Sequence, residues 1–166
     1  MLPATVNTIS VAKRPATPFV LVTASSDVQP ASVLIFNTES GQLMPVGNSH
    51  PAIDPLKMSH KRLVRYAARD GLSIPAYLTL PKGHSGKNLP MVVMVHGGPW
   101  VRGGHWNWNR ETQFLASRGY AVLEPDFRGS TGYGHAHYKA GWKQWGLKMQ
   151  DDIADGARWA IAQGIA

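Results

Sequence analysis

The sequence lacks cysteine and lacks any long apolar run, and both absences exclude classes of protein. With no cysteine among its 166 residues, the chain has no disulfide scaffold, no thiol nucleophile and no cysteine-ligated zinc. Its densest apolar run, residues 91–95, has five residues, far fewer than the roughly 18 of a membrane-spanning helix. Residues 1–10 show no basic stretch followed by an apolar one, so no signal peptide is visible and the cytoplasm and the periplasm both stay open.

Charged residues are also scarce, at 16% of the chain, but bases outnumber acids and the net charge is +7. The excess is concentrated in residues 61–99, which carry a net charge of +5. A nucleic-acid partner would use such a stretch to contact phosphates. However, Arg62, Arg65 and Arg69 are interleaved with apolar residues in a pattern typical of a half-buried strand. A solvated strand face therefore explains the charge better, and we expect no nucleic-acid partner.

Apolar and β-branched stretches in the first part of the chain predict three short strands joined by tight turns. The strands are predicted at residues 19–23, 31–38 and 42–46. Pro45, Pro51 and Pro55 then predict that strand pairing ends and that an extended linker begins. We therefore expect a short all-β meander over residues 1–60.

From residue 61 onward the pattern changes to strands that alternate with helices. The strands are predicted at residues 62–69, 72–80, 91–95 and 120–127, and the helices at residues 110–118 and 150–163. Asp70 and Gly71 form a strong hairpin signal between the first two strands. The uninterrupted apolar run at 91–95 is typical of a strand buried on both faces. This order predicts an α/β fold, the opening half of a mostly parallel sheet.

His96, Gly97, Gly98 and Pro99 directly follow the predicted strand at 91–95. In α/β-hydrolases a glycine-rich loop at this place supplies a backbone N–H to the oxyanion hole, and glycine lets the substrate carbonyl approach the backbone. A plain strand-to-loop turn that needs positive φ would use the same residue types. The motif alone therefore leaves both interpretations open.

Five segments of the chain after residue 60 keep a distinctive order and spacing. They are residues 70–81 (DGLSIPAYLTLP), 95–100 (VHGGPW), 113–120 (QFLASRGY), 127–134 (FRGSTGYG) and 145–152 (WGLKMQDD). Together they resemble the catalytic domain of the prolyl oligopeptidase (S9) family of serine peptidases. The resemblance is strongest to its dipeptidyl aminopeptidase and acylaminoacyl peptidase branch.

This resemblance implies an α/β-hydrolase sheet preceded by the end of a β-propeller. Residues 1–60 are then expected to be the last propeller strands and a linker, and residues 61–166 the N-terminal part of the catalytic domain. The family places its nucleophile in a G-x-S-x-G turn after the helix predicted at 150–163. The serine, the acid and the histidine are therefore expected beyond Ala166, and no member of the triad is expected in this chain.

The resemblance assigns the oxyanion-hole loop to Gly97 and Gly98, with the N–H of Gly98 as the donor. The residues expected to support this loop are His96, Pro99, Arg128 and Asp152. His96 is expected to form a hydrogen bond within the loop rather than to act as a base. Arg128 is predicted to pair with Asp151 or Asp152 at the start of the last helix, which would hold the glycine-rich loop at 128–134.

Ser130 invites a different interpretation, because residues 128–132 (RGSTG) nearly match a nucleophile turn. Arg128 stands where the first glycine of that turn belongs. The turn should also open directly into a helix, whereas Gly132 and Gly134 follow here. Ser130 is therefore not expected to be the nucleophile.

Two further groups of side chains suggest binding sites. Trp100 and Trp106 either pack against the following helix or line a substrate pocket, and we retain them as possible pocket residues. His135 and His137 would share one face of a strand, but no third ligand has suitable spacing. We expect exposed loop histidines there, and neither a metal nor a cofactor.

The whole protein is thus expected to be a serine peptidase that cleaves short peptides by acyl transfer, whereas this chain alone is expected to be inactive. An esterase or lipase of the α/β-hydrolase type and a non-catalytic binding module remain alternatives. A peptide substrate is the expected partner, no membrane partner is expected, and the oligomeric state stays open.

Overall fold

The computed structural model describes residues 2–13 and 16–166, and this part of the chain forms two compact units. The first unit holds the described residues up to 58 together with residues 107–110. The second unit holds residues 59–106 and 111–166. Within the described residues, none of the helices is long and apolar enough to span a membrane.

The first unit is a four-stranded antiparallel meander. Its strands are β1 (Val6–Val11), β2 (Phe19–Ser25), β3 (Ser32–Asn37) and β4 (Leu43–Asn48), which pair in chain order. Val22, Ala24 and Leu34 are buried on one face and form a small core. A short 3₁₀ helix, Pro55–Lys57, follows the meander, and the side chain of Asp54 caps it.

The sequence predicts only three of these strands. β1 was not predicted, because its polar residues Asn7, Thr8 and Ser10 hide the alternation, and pairing with β2 defines the strand. The third predicted strand, 42–46, ends too early: β4 continues through Pro45 to Asn48, opposite Ser32, and pairing ends before Pro51. The register shifts between Val33 and Leu34, the partner of Pro45. A proline is tolerated there because β4 is an edge strand with a local irregularity.

The second unit is a mixed sheet with helices. Its strands are β5 (Lys61–Ala67), β6 (Ser73–Thr79), β7 (Met91–Val93) and β8 (Ala121–Pro125), in the order β5-β6-β8-β7. Its helices are α1 (Arg110–Ser117), α2 (His135–Lys139) and α3 (Lys148–Ala162). The β5–β6 hairpin turns through Gly71 at a φ of +84°, as expected. The short helix α2 was not predicted.

The sheet is less parallel than expected. β5–β6 and β6–β8 are antiparallel, and within the described residues only β7–β8 is a parallel pair. β7 is also shorter than predicted and half-buried rather than buried on both faces. It lies at the end of the sheet, so one of its sides has no strand neighbour in the described chain. The fully buried strand of this pair is β8.

The core of the second unit lies between the sheet and α3. Ile74, Leu78 and Leu123 have no exposed surface, and burial of each such side chain stabilises the fold by about 1.5–3 kcal/mol. The helix approaches the sheet closely at Gly156. A Cβ at this position would lie 3.0 Å from Leu123 Cδ2 and 2.8 Å from Tyr66 Oη. Glycine therefore sets the distance between α3 and the strands.

Candidate functional site

The glycine loop leaves the carboxyl end of β7 and is open to solvent at Gly97 and Gly98, while Pro99 behind them is buried. Gly98 has a φ of +131°, a conformation that side chains rarely adopt. A Cβ there would lie 2.9 Å from Val101 Cγ2 and 3.1 Å from the Trp100 nitrogen. The N–H of Gly98 donates no hydrogen bond to any described residue. The loop thus presents a free donor that only glycine can carry.

His96 is held firmly beneath this loop. Its Nδ1 lies 2.8 Å from the carbonyl oxygen of Gly97, and its Nε2 lies 3.0 Å from Ser130 Oγ. One face of the ring stacks on Phe127 at 4.5 Å between centroids. The ring also packs directly against Gly103, where a Cβ would overlap with His96 Cδ2. The expected hydrogen bond within the loop is therefore present.

Asp126, which the sequence interpretation overlooked, joins the two loops that surround His96. Its Oδ1 accepts the backbone N–H groups of Gly103 at 2.8 Å and Gly104 at 3.0 Å. Its Oδ2 accepts the Tyr133 hydroxyl at 2.6 Å. Burial and this hydrogen bond to Asp126 raise the pKa of Tyr133, so the hydroxyl stays a donor. The position of Asp126, directly after the buried strand β8, was the sequence signal that could have identified it.

Ser130, His96 and Asp126 lie together, but not in the arrangement of a catalytic triad. In a triad the serine and the acid bind opposite ring nitrogens of the histidine. Here Ser130 Oγ and Asp126 Oδ1 both face Nε2, at 3.0 Å and 3.5 Å. Ser130 also has no exposed surface, so a substrate carbonyl cannot reach it. This geometry agrees with the expectation that Ser130 is not a nucleophile.

The predicted ion pair of Arg128 is confirmed, and its partner is Asp152. Arg128 Nη2 lies 2.7 Å from Asp152 Oδ1, and the backbone N–H of Arg128 donates to Oδ2 at 2.9 Å. Asp151 pairs instead with Arg69, at 2.7 Å.

A third carboxylate, Asp70 in the β5–β6 turn, lies 2.8 Å from Arg128 Nη1. Hydrogen bonds from Arg128 and then Lys148 hold the pKa of Asp70 well below its usual range. In turn, hydrogen bonds to Asp152 and, to a smaller extent, to Asp70 raise the pKa of Arg128. The loop at 128–134, the hairpin and the start of α3 are thereby joined.

A cavity of about 200 Å³ opens beside the glycine loop. It is lined by residues 95–99, Phe127, Trp145, Met149, Gln150 and Ile153. Neither Trp100 nor Trp106 lines it. Trp100 packs edge-on against Tyr138, at 5.5 Å between centroids, and over Gly129. A substrate-contacting role for Trp100 and Trp106 stays a prediction, and the aromatic residues that line the cavity are Phe127 and Trp145.

The expectation that His135 and His137 are exposed histidines of a loop is wrong in two respects: the residues form a helix, and His137 is buried. Both belong to helix α2, where His135 is exposed and His137 is buried. The Nε2 of His137 lies 3.1 Å from the carbonyl oxygens of Asp126 and Phe127. His137 thus closes the 126–129 turn. In the described part of the chain, no cluster of three or more His, Asp or Glu side chains suits a metal ion.

A glycine-rich loop with a free N–H, at the carboxyl end of a parallel strand in a mixed α/β sheet, is the arrangement of an oxyanion-hole loop in α/β-type hydrolases. Comparison with known proteins agrees with this class. The sequence profile of the prolyl oligopeptidase family matches residues 106–166. The chain belongs to the prolyl oligopeptidase family.

Individual relatives extend the match to most of the chain. It is 35% identical over 152 residues to dipeptidyl aminopeptidase BIII of Pseudoxanthomonas mexicana, which covers 87% of this chain. It is 31% identical over 167 residues to dipeptidyl peptidase family member 6 of Caenorhabditis elegans, which covers 88%. The chain spans 22% of the length of each of these relatives.

A solved structure shows the same fold. The crystal structure of puromycin hydrolase superposes with a TM-score of 0.77 at 27% identity. The superposition covers 96% of this chain and 24% of that one.

Proposed function

We propose that the whole protein is a serine peptidase that cleaves short peptides by acyl transfer. The observation that carries the proposal is the unpaired N–H of the exposed Gly98, in the loop after β7, in a chain of this family. In the proposed reaction a serine attacks the scissile carbonyl and a histidine takes its proton. The N–H of Gly98 then stabilises the negative charge that develops on the carbonyl oxygen. Relatives named as dipeptidyl peptidases support a peptide as the substrate.

We further propose that residues 1–60 are the end of a β-propeller with its linker, and that residues 61–166 begin an α/β-hydrolase catalytic domain. Two observations support this division. The first unit is a four-stranded antiparallel meander, which is the form of a propeller blade. The second unit carries a parallel β7–β8 pair with its loop at the carboxyl end, where α/β enzymes place their sites.

The nucleophile, its base and its acid are proposed to come from parts of the protein outside residues 1–166. Support comes from the geometry of Ser130, His96 and Asp126, because both partners face the same ring nitrogen and Ser130 is buried. The second oxyanion donor would be the backbone N–H that follows the serine. On this proposal residues 1–166 alone hydrolyse nothing.

The test uses the full-length protein with dipeptide, aminoacyl and N-acyl-aminoacyl p-nitroanilides, alongside p-nitrophenyl esters. We expect turnover of at least one peptide-type substrate and covalent labelling by a fluorophosphonate. Gly98→Ala should lower kcat by roughly 10²–10³-fold, the loss typical of an oxyanion donor. Gly47→Ala is the matched control, because a Cβ there meets nothing within 4 Å.

The outcomes separate this proposal from its alternatives. Ester turnover without peptide turnover would replace the peptidase with an esterase of the same fold. Binding of peptides with neither turnover nor labelling would indicate a non-catalytic module. Full activity in Gly98→Ala would remove the assigned role of this N–H.

A further inference from the structure

We propose that His96 and Ser130 are positioning residues that aim the Gly98 N–H at the oxyanion. This inference rests on the proposed function and adds to it a cause for the direction of the donor. The two side chains come from different segments, one before the glycine pair and one from the 128–132 loop. They meet through a hydrogen bond of 3.0 Å.

The argument starts from the peptide group between Gly97 and Gly98. The carbonyl of Gly97 and the N–H of Gly98 belong to one planar trans peptide, so they point in opposite directions. His96 Nδ1 holds that carbonyl oxygen at 2.8 Å. A side chain that fixes the carbonyl on one side therefore fixes the N–H on the other. His96 sets the direction of the Gly98 donor without touching it.

The proton positions follow from the partners. A carbonyl oxygen only accepts, so Nδ1 of His96 carries the proton in the bond to Gly97. In the neutral ring Nε2 is then an acceptor, and the Ser130 hydroxyl donates to it. The chain of bonds runs from the Ser130 hydroxyl through the ring to the Gly97 carbonyl. The Gly97 carbonyl, which can only accept, thus selects the tautomer, and the Ser130 hydroxyl supplies the donor that matches it.

Ser130 is needed because of what else faces Nε2. Asp126 Oδ1 lies 3.5 Å from this nitrogen and already accepts two backbone N–H groups. Without the Ser130 hydroxyl, the unprotonated Nε2 of His96 would face Asp126 Oδ1. Both atoms are acceptors, so this contact would be unfavourable. A shift of the ring proton from Nδ1 to Nε2 would give the carboxylate a donor, but it would take the donor away from Gly97. The stack on Phe127 and the contact with Gly103 restrict the remaining freedom of the ring.

The test compares His96→Leu with His96→Asn in the full-length protein. Leucine removes both ring nitrogens, whereas the asparagine amide nitrogen can replace Nδ1 and donate to Gly97. We expect His96→Leu to lower kcat about tenfold to hundredfold, part of the loss that follows removal of an oxyanion donor, with KM changed less than about twofold. His96→Asn should recover most of kcat. His84→Leu, at an exposed loop position of the same unit, is the control and should keep full activity.

A second readout separates positioning from general weakening of the fold. A peptide aldehyde forms an oxyanion on the enzyme, and the product peptide does not. We expect His96→Leu to lose affinity for the aldehyde by the same factor as kcat, with product affinity unchanged. Equal losses for both ligands, an unchanged kcat, or an asparagine variant as poor as leucine would each overturn the proposal.

Ser130→Ala tests the positioning role of Ser130. Crystal structures of the His96 variants provide a test that does not depend on activity. Ser130→Ala should lower kcat several-fold with KM unchanged, and an unchanged kcat would remove Ser130 from the proposal. If the wild-type protein neither turns over substrates nor labels, the proposed function fails. In that case the orientation of the Gly97–Gly98 peptide still decides, because it should rotate in His96→Leu and stay fixed in His96→Asn. An unrotated peptide in His96→Leu overturns the inference.

Discussion

Arg128 and Asp152 form a buried ion pair, with Arg128 Nη2 2.7 Å from Asp152 Oδ1 and side chains only 4% and 0% exposed. Asp152 receives three hydrogen bonds from Arg128, two from the guanidinium and one from the backbone N–H. The pair connects the loop that carries Ser130 to the N-terminal part of α3. It therefore determines where that loop lies relative to the helix.

Replacing Arg128 with methionine should destabilise the protein by about 3–5 kcal/mol, because Asp152 would be left buried without its cation. Urea unfolding followed by fluorescence measures this change. The double variant Arg128→Met with Asp152→Asn should recover part of the loss, since the amide oxygen can still accept the backbone N–H without carrying a charge. A loss below about 1 kcal/mol in Arg128→Met would show that the pair does not hold the loop.

Acid should destabilise the protein through Asp70. Its pKa in the folded state lies well below the usual value of about 3.9, mainly because Arg128 and Lys148 donate hydrogen bonds to it. The unfolded chain takes up this proton near pH 4, whereas the folded protein does not, so this stabilisation is complete above about pH 5 and falls as the pH drops.

Urea midpoints at pH 7, 5 and 3 measure that dependence on acid. Asp70→Asn should be less stable than the wild type at pH 7 and should lose less stability between pH 5 and pH 3. Asp155, whose pKa is also lowered, chiefly by hydrogen bonds from Arg69, keeps some acid sensitivity in the variant. Identical slopes for the two proteins would contradict the assignment to Asp70.

Gly156→Ala should destabilise the protein even though alanine is the better helix former. Alanine in place of glycine favours a helix by about 1 kcal/mol. Here the new Cβ would lie 2.8 Å from Tyr66 Oη and 3.0 Å from Leu123 Cδ2, and such overpacking costs about 1–3 kcal/mol.

Tyr66→Phe provides the matched test of that contact. Alone it should cost about 1 kcal/mol, because the Tyr66 hydroxyl donates to the Asp152 carbonyl at 2.8 Å. Combined with Gly156→Ala it should cost somewhat less than the sum of the two single changes, since the nearest clashing atom is gone while Tyr66 Cζ would remain 2.9 Å from the new Cβ. Thermal or urea unfolding of all four proteins gives the coupling. Strict additivity would show that the Tyr66 hydroxyl oxygen carries none of the strain.

Ser130→Ala should leave fluorophosphonate labelling of the full-length protein intact. The serine is fully buried, and the proposed nucleophile lies outside this chain. Gel detection of the labelled protein, at equal protein concentration and with a heat-denatured control, measures the result. Complete loss of labelling, with folding retained by circular dichroism, would make Ser130 the nucleophile.

Periodicity and turn residues predicted most of the second unit because local signals there agree with the fold. Asp70-Gly71 marks the hairpin, and the helix predicted at 150–163 appears as Lys148–Ala162. β1 and α2 were missed because tertiary pairing defines the first, and the second is a five-residue helix. The length of β7 was overestimated because apolar composition does not reveal the edge position of a strand.

Charge was harder to interpret than strand pattern. Lys61 belongs to the basic stretch that raised the question of nucleic acid, yet its ammonium group is buried 2.8 Å from Glu124 Oε2. Arg69 of the same stretch pairs with Asp151 and Asp155. All three acidic partners lie far along the chain from these two bases. Composition alone therefore could not reveal that the charges of Lys61 and Arg69 are neutralised within the unit.

The sequence predicted individual residues of the candidate site but not the contacts between them. The resemblance pointed to Gly98, and its unusual φ and free N–H are consistent with that choice. The contact of His96 with Ser130 joins residues 34 positions apart, and no local pattern encodes it. Asp126 directly follows the buried strand β8 and could have been noticed, but its partners Gly103 and Gly104 lie 23 and 22 positions away.

The carboxylate of Asp126 makes residues 96–104 and 126–133 a single unit for protein engineering. A foreign His-Gly-Gly-Pro segment introduced by loop exchange would have to fit the carboxylate of Asp126, the hydroxyl of Ser130 and the ring of Phe127. These three groups match the original segment. Transplanting both segments together preserves the matching donors and acceptors. Libraries that diversify substrate preference should therefore vary the two stretches jointly rather than one at a time.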